Sequence, residues 1–255
     1  MNKKSKPLTQ QSEKILSADI STLPRRDILR IISLRAKQKK RTVIFTPNTQ
    51  ILLSAHKSRR ETELLRASDI SIPDGVGVVM ASRLTGGKIK ARIGGIDLAE
   101  DLLALAQERN YRVFFLGSRV GIARKAGIRL KRKYPTLNIC GTHHGYFDKI
   151  GEENEIVLEK INRAHPDIIF VCMGYPVQEE WIIQNKDKLN SVRIFIGLGG
   201  SLDVWAGKAK RAPIPLRAIG LEWLYRAIKE PKRARIFLDI PRFLLEVWKS
   251  KNGEG

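Results

Sequence analysis

A chain of 255 residues with 42% hydrophobic and 29% charged side chains can bury a full core and reads as globular, neither disordered nor fibrous. No run of about 18 apolar residues offers a membrane-spanning helix, and the opening MNKKSKPLTQQSEK lacks the apolar stretch of a signal peptide. Cys140 and Cys172, far apart and each beside a strand-like segment, suggest neither a disulfide framework nor a CxxC site, so a reduced cytosolic setting is expected. The net charge of +21 is concentrated at the ends: residues 1–41 carry +9, residues 206–255 carry +7, and the 164 residues between hold only +5. Such ends point to a polyanionic partner, either nucleic acid or an anionic membrane surface.

In chain order, residues 1–14 are expected to be mobile. Arg25–Lys40 is helix-like, with Ile28, Ile31, Ile32 and Leu34 on a loose apolar face. TVIF (42–45) is a short buried strand, followed by TPNTQ and a helix to about residue 60. A strand over 69–72 and a helix over 76–84 follow. TGGKIKARIGG (85–95) alternates Ile89, Ala91 and Ile93 between glycine pairs, which predicts a small hairpin or edge strand. From residue 96 the rhythm is regular: helices at 96–109, 120–133, 152–164 and 177–189 precede strands at 111–117, 137–142, 167–174 and 192–200. Continuously apolar strands alternating with helices predict a Rossmann-like α/β fold, a parallel sheet with helices on both faces. After Gly200 a basic loop leads to helices over 215–229 and 232–251, with Pro241 expected to kink or restart the second. The expected division is a basic N-terminal helical segment (1–41), an α/β catalytic domain (42–205) and a C-terminal helical, basic, membrane-associating appendage (206–255).

In an open parallel sheet, ligands bind at the carboxyl ends of the strands. There fall TPNTQ (46–50), PDGVG (73–77), LGS (116–118), GYF (145–147), MGYPVQE (173–179) and GLGGSLD (197–203). Glycines let backbone approach a phosphate, and amides at helix starts favour anions. Neither GxGxxG nor GxxxxGK[ST] is present, so a nicotinamide fingerprint and a P-loop are unsupported. Asp74 reads two ways: as the N-cap of the next helix, or as an ionised carboxylate available as a general base. Thr46 and Asn48 read equally as turn residues, with Thr46 a candidate cap for the helix near Thr49. Arg92 reads as a solvated edge charge, and Gln178 as an exposed helix residue. His143 and His144, adjacent on a strand, should point to opposite faces, and no acidic or cysteine partner stands at ligand spacing. No zinc site is assigned. The absence of Asp-x-Asp argues against a metal-dependent transferase.

Taken together, TPNTQ, SDISIPDGVGVVMASRL, RIGGIDL, VFFLGS, GYF, GYPVQEEWI, GLGGSLDVWAGKAKRAP and GLEWLYRAIKEPKR resemble the WecG/TagA/CpsF glycosyltransferases, in order and spacing, from about residue 42 to 240. The resemblance implies a metal-independent, inverting hexosyltransferase with no cofactor, which takes a UDP-sugar as donor. Its acceptor would be a polyprenyl-diphosphate-linked sugar at the cytoplasmic membrane face. The type reaction adds N-acetylmannosamine to undecaprenyl-diphosphate-linked N-acetylglucosamine in making the wall teichoic acid linkage unit. By position, the family's base aspartate falls on Asp74, its Thr-x-Asn pair on Thr46 and Asn48, its arginine on Arg92 and its glutamine on Gln178. Gly117, Ser118, Tyr146, Gly174 and Gly199 are the strand-end candidates for substrate binding. Arg211, Arg217 and Arg226 are the tail arginines expected to complete the site. The first loop often ends in Glu in this family, whereas this chain has Gln50.

The tail sets Trp223, Tyr225, Phe237, Phe243 and Trp248 among many Lys and Arg, and Leu216, Ile219, Trp223, Leu224 and Ile228 recur at helical steps. It reads either as helices closing the core or as an interfacial device whose cations each contribute about 1 kcal/mol on anionic lipid. The expected partners are the UDP-sugar, the lipid-linked acceptor and an anionic membrane surface, giving a peripheral location on the inner face of the cell membrane. A homo-oligomer is left open. Two rivals stand: another donor, such as UDP-N-acetylmannosaminuronic acid or UDP-glucose for exopolysaccharide or common antigen, and a basic nucleic-acid-binding protein. The second is not expected, because no recognition motif or stacking platform is visible.

Overall fold

The computed structural model describes residues 11–213, 215–216, 224–225 and 236–253. In chain order its elements are β1 (Ser12–Ile15), β2 (Ala18–Ser21), α1 (Arg25–Lys37), β3 (Thr42–Phe45), α2 (Thr49–Lys57), α3 (Arg59–Arg66), β4 (Ile70–Ser71) and α4 (Val76–Leu84). Then come α5 (Gly95–Arg109), β5 (Val113–Gly117), α6 (Ile122–Lys133), β6 (Ile139–His143), α7 (Glu152–Ala164), β7 (Ile168–Cys172), α8 (Val177–Asn185), β8 (Ile194–Gly197), α9 (Ser201–Trp205) and α10 (Ile236–Asn252). The described residues fall into two compact units, each discontinuous in sequence: one drawn from 1–28, 46–94 and 211–255, the other from 29–45 and 95–210. These units cut across the linear segments 1–41, 42–205 and 206–255.

The second unit holds the expected parallel sheet, with strands in the order β3-β8-β7-β5-β6. Every registered pair among them is parallel, as in Val43 opposite Phe195, Phe170 opposite Ile196 and Phe114 opposite Ile169. TVIF, VFFLG, IIFVC and IFIG are buried along their whole length, the pattern of strands covered on both faces. β6, which pairs with β5 alone among the described residues, is half-buried throughout. Phe115, Phe170 and Trp205 meet at centroid distances of 5.5 to 5.9 Å, so the short α9 pins its last residue onto the sheet. A buried network fixes α8 to α7. Trp181 Nε1 donates to Asn154 Oδ1 at 2.8 Å, Asn154 Nδ2 to Asn185 Oδ1 at 3.0 Å, and Asn185 Nδ2 to the Trp181 carbonyl at 2.9 Å.

The first unit contains a hairpin whose first strand overlaps residues 12–14 of the end expected to be mobile; residues 1–10 of that end lie outside the described residues. β1 and β2 pair antiparallel, Glu13 opposite Ile20, and bury Ile15, Ala18 and Ile20. The Glu13 carboxylate accepts from the Lys88 backbone N–H, and Arg66 Nε donates to the Ser17 carbonyl at 3.3 Å. The expected single helix to residue 60 is two helices, because Ser58 ends α2 and then caps α3 by accepting from Glu61 N–H at 3.3 Å. Residues 85–94 form no strand. Ile89 and Ile93 are buried, but the alternation comes from a loop pinned at both ends rather than from a paired edge.

α10 packs on α2 and α4 through the fully buried Phe243 and Val247, one turn apart. It continues through Pro241, so of the kink or restart expected there the restart does not occur. Gln50 Nε2 donates to Asp239 Oδ2 at 2.6 Å, and Lys251 Nζ to the Thr85 carbonyl at 3.1 Å. Of the helix expected over 215–229, Pro215, Leu216, Leu224 and Tyr225 are helical and the rest lies outside the described residues. In α1 the buried face is Ile28, Ile32 and Ala36, and the expected Leu34 is exposed.

Candidate active site

In the first unit the loops that follow β3 and β4 are stitched together by backbone. The Asp74 N–H donates to the Pro47 carbonyl at 3.3 Å, and the Ile93 N–H to the Pro73 carbonyl at 2.8 Å. Three segments distant in sequence thus adjoin, carrying Thr46 and Asn48, Asp74, and Arg92. All four side chains are half-buried, as groups at a site that admits solvent and substrate would be.

The N-cap of α4 is Gly75, and Asp74 stands one residue before it. Gly75 has φ of +106°, which a residue with a Cβ adopts only at a cost. The capping reading of Asp74 is therefore not realised, although its carboxylate still lies near the positive end of the helix dipole. Gly77 answers a different demand. A Cβ there would overlap Thr49 Oγ1, so the Thr49 side chain in the first turn of α2 packs directly on the bare backbone of α4. Asn48, rather than Thr46, caps α2: its Oδ1 accepts from the Gln50 and Ile51 N–H groups at 3.0 and 3.1 Å. Gln50 lies at the surface against Asp239, where a glutamate would meet a like charge.

The second unit brings together four glycine-bearing loops at the carboxyl ends of its strands. Gly117 has φ of +137°, and a Cβ on it would overlap the Cys172 carbonyl. Ser118 N–H donates to that carbonyl at 3.0 Å, Gly145 N–H donates to the Ser118 carbonyl at 2.8 Å, and Ser118 Oγ donates to Asp203 Oδ2 at 3.0 Å. The loops after β5 and β6 and helix α9 are thereby joined. The loop after β7 contains a cis Tyr175–Pro176 bond, and Gly174 and Gly199 both have positive φ. Gln178, which reads on its own as an exposed helix residue and which the family resemblance places in the site, is buried and bridges these two loops. Its Oε1 accepts from Gly174 N–H at 3.2 Å and from Gly199 N–H at 2.8 Å, while its Nε2 donates to Glu179 Oε1 at 2.8 Å. The amides of Gly174 and Gly199 are thus engaged within the protein, and these glycines shape the loops instead of offering those N–H groups to a phosphate.

Glu179 is the residue the sequence reading missed. It is 1% exposed, and burial raises its carboxyl to about 7 against the opposing hydrogen bond from Gln178. The signal in the sequence was the pair Glu179-Glu180, which looks like ordinary acidic enrichment of a helix's first turn. Burial also pushes the Cys172 thiol up to about 12, which removes it as a nucleophile. Tyr146 is exposed at a loop tip, its N–H donating to His144 Nδ1 at 3.2 Å. The His143 and His144 rings do not diverge as expected but stack at 4.3 Å, because His144 already lies beyond the strand. Burial lowers the pKa of His143. Among the described residues no three His, Cys, Asp or Glu side chains gather as a metal site. Arg211 is half-buried in the first unit; Arg217 and Arg226 lie outside the described residues.

A sequence profile described as the Glycosyl transferase WecG/TagA/CpsF family matches residues 13–254. The chain is 38% identical over 217 residues to the N-acetylglucosaminyldiphosphoundecaprenol N-acetyl-beta-D-mannosaminyltransferase of Bacillus subtilis (strain 168), covering 85% of this chain and 83% of that one. It is 37% identical over 208 residues to the protein of the same name in Staphylococcus aureus (strain MRSA252), covering 82% of this chain and 80% of the relative.

Proposed function

This chain belongs to the WecG/TagA/CpsF glycosyltransferase family, and on that premise we propose that it moves N-acetylmannosamine from a UDP-linked donor to N-acetylglucosamine carried on undecaprenyl diphosphate. The names of the Bacillus and Staphylococcus relatives support this acceptor and this sugar. The observation within the chain that carries the reading is Asp74. It stands in the loop between β4 and a glycine-capped helix, half-buried, joined by backbone hydrogen bonds to the segments bearing Thr46, Asn48 and Arg92.

In the proposed step the acceptor's 4-hydroxyl oxygen attacks the anomeric carbon from the face opposite UDP. The new C–O bond forms as the bond to the diphosphate oxygen breaks, and the hydroxyl proton passes to the Asp74 carboxylate. A positioned base of this kind contributes roughly a hundred- to ten-thousand-fold. Charge developing on the departing UDP needs donors, for which the Thr46 hydroxyl and the guanidinium groups of Arg92 and Arg211 are the described candidates. No metal takes part in the proposed step, and the wall teichoic acid linkage unit is its expected destination.

No helix among the described residues is long and apolar enough to cross a membrane. The lipid-borne acceptor requires contact with the bilayer, and α10 supplies a suitable face. Leu238, Leu245 and Trp248 are exposed on it, with Arg242 beside them and Met80 and Leu84 exposed on α4. Peripheral attachment at the inner membrane face is part of the proposal. The test is UDP release from a panel of UDP-sugars with a short-chain lipid-diphosphate-GlcNAc analogue, in the presence and absence of EDTA. Acceptor-dependent release from UDP-N-acetylmannosamine, insensitive to EDTA, is expected; release from UDP-glucose or a uronate donor instead would replace the donor assignment.

A further inference from the structure

Glu179 has a chemistry that stability does not explain. Its Oε1 accepts from Gln178 Nε2 at 2.8 Å, while its Oε2 is buried without a hydrogen-bond partner among the described residues. No ion pair reaches it there either, and the neighbouring charge of Glu180 adds to the cost of ionising it. A half-satisfied buried carboxyl is worse for folding than an apolar side chain of the same size. What the carboxyl does supply is an acceptor on one particular side of the Gln178 amide.

A side-chain amide has two orientations of nearly the same shape, and its partners select between them. With Oε1 toward Gly174 and Gly199 and Nε2 toward Glu179, all three hydrogen bonds are made. Turned over, the NH2 group would face two N–H donors and the oxygen would face a carboxyl oxygen. Gly197 makes room for the pair at the end of β8, since a Cβ there would stand 2.9 Å from Gln178 Nε2 and 3.1 Å from Glu179 Oε1. The helix bearing both residues is itself locked by the Trp181–Asn154–Asn185 network.

We infer that Glu179 is a positioning residue: its carboxyl orients the Gln178 amide, and through it fastens the Gly174 loop to the Gly199 loop. That these loops serve donor binding rests on the function proposed above; the fastening does not.

The test uses 15N-glycine-labelled full-length protein, with amide hydrogen exchange read at Gly174 and Gly199. Glu179→Met removes the acceptor and the half-satisfied buried carboxyl while roughly keeping the volume. Its thermal midpoint is expected to hold or rise, while exchange at both glycines accelerates about tenfold or more and that of Gly117 and Gly141 on β5 and β6 stays put. Glu179→Gln keeps an acceptor oxygen and is expected to keep wild-type protection at both loops. Wild-type protection in Glu179→Met overturns the inference. So does a Glu179→Met protein that fails to fold, because the carboxyl would then be holding the fold instead of the loops. With donor and acceptor analogue supplied, Glu179→Met is expected to raise the donor KM about fivefold with a smaller change in kcat, and Glu179→Gln to leave both near wild type. Altered exchange without any turnover in wild type would leave the fastening standing and sink the proposed reaction alone.

Discussion

The two sets of strand-end loops solve the same problem in opposite ways. In the first unit, backbone holds backbone: Pro47 to Asp74 and Pro73 to Ile93. That joining is made by main-chain N–H and carbonyl groups and not by the side chains of Asp74 and Arg92. In the second unit a side chain holds backbone, with the buried Gln178 spanning Gly174 and Gly199. There the polar side chain is engaged in holding the two loops together. A residue's polarity and its place at a strand end therefore do not show whether it acts or supports. For Gln178, its hydrogen bonds to both loops do.

The sharpest break between the two is expected at Asp74. Asp74→Asn should cut turnover by roughly a hundred- to ten-thousand-fold while the thermal midpoint stays within about a degree, since the variant loses a base and no cap. Gln178→Leu should move both readings, because it leaves two half-buried N–H groups without their acceptor at up to about 1–3 kcal/mol each, seen as a lower denaturation midpoint together with weaker donor binding. If Gln178→Leu proved as stable as wild type, the contrast between acting and supporting residues would fail.

Burial of Glu179 makes the second unit's stability depend on pH. Its folded pKa is raised to about 7, so the fold binds this proton more tightly than the unfolded chain does. The group's favourable contribution is complete below the ordinary carboxyl range and is lost as pH rises to about 7, a change of about 3 kcal/mol at most. Urea titrations of wild type and Glu179→Gln should therefore diverge between pH 5 and 8, with the variant the more stable at pH 8. Parallel curves would mean that the carboxyl is solvated. Gly77→Ala should cost about 1–3 kcal/mol by forcing α2 and α4 apart at Thr49. The smallest effect belongs to Gln50→Glu, which sets a carboxylate against Asp239 at the surface and should loosen α10 by less than about 1 kcal/mol, measurable as faster proteolysis of the tail.

Much of this fold was legible because a parallel sheet writes itself plainly. Strands such as VFFLG and IIFVC are apolar at every position, and the helices between them carry stripes. What escaped was short or context-dependent. SEKI and ADIS are too polar and too brief to announce a hairpin, and their register depends on burial against α3 and α4. KIKARI alternates as a strand does, yet it pairs with no strand among the described residues and is held by single bonds at Lys88, Ile89 and Ile93. The break at Ser58 was readable in retrospect from Ser-Arg-Arg-Glu, a capping-box spacing. Within the candidate site, Asp74, Thr46, Asn48 and Arg92 were proposed from motif order, and the backbone stitching explains why their segments adjoin. The burial of Gln178 and Glu179 could not be read that way, since at the start of a helix the same letters usually face water.

The central claim is a single displacement at the anomeric carbon with Asp74 taking the proton, and the anomeric configuration of the product tests it most directly. With α-linked UDP-N-acetylmannosamine and the lipid-diphosphate-GlcNAc analogue, NMR of the purified disaccharide should show a β linkage and one UDP released per linkage formed. An α-linked product, or UDP release that does not require the acceptor, would contradict it.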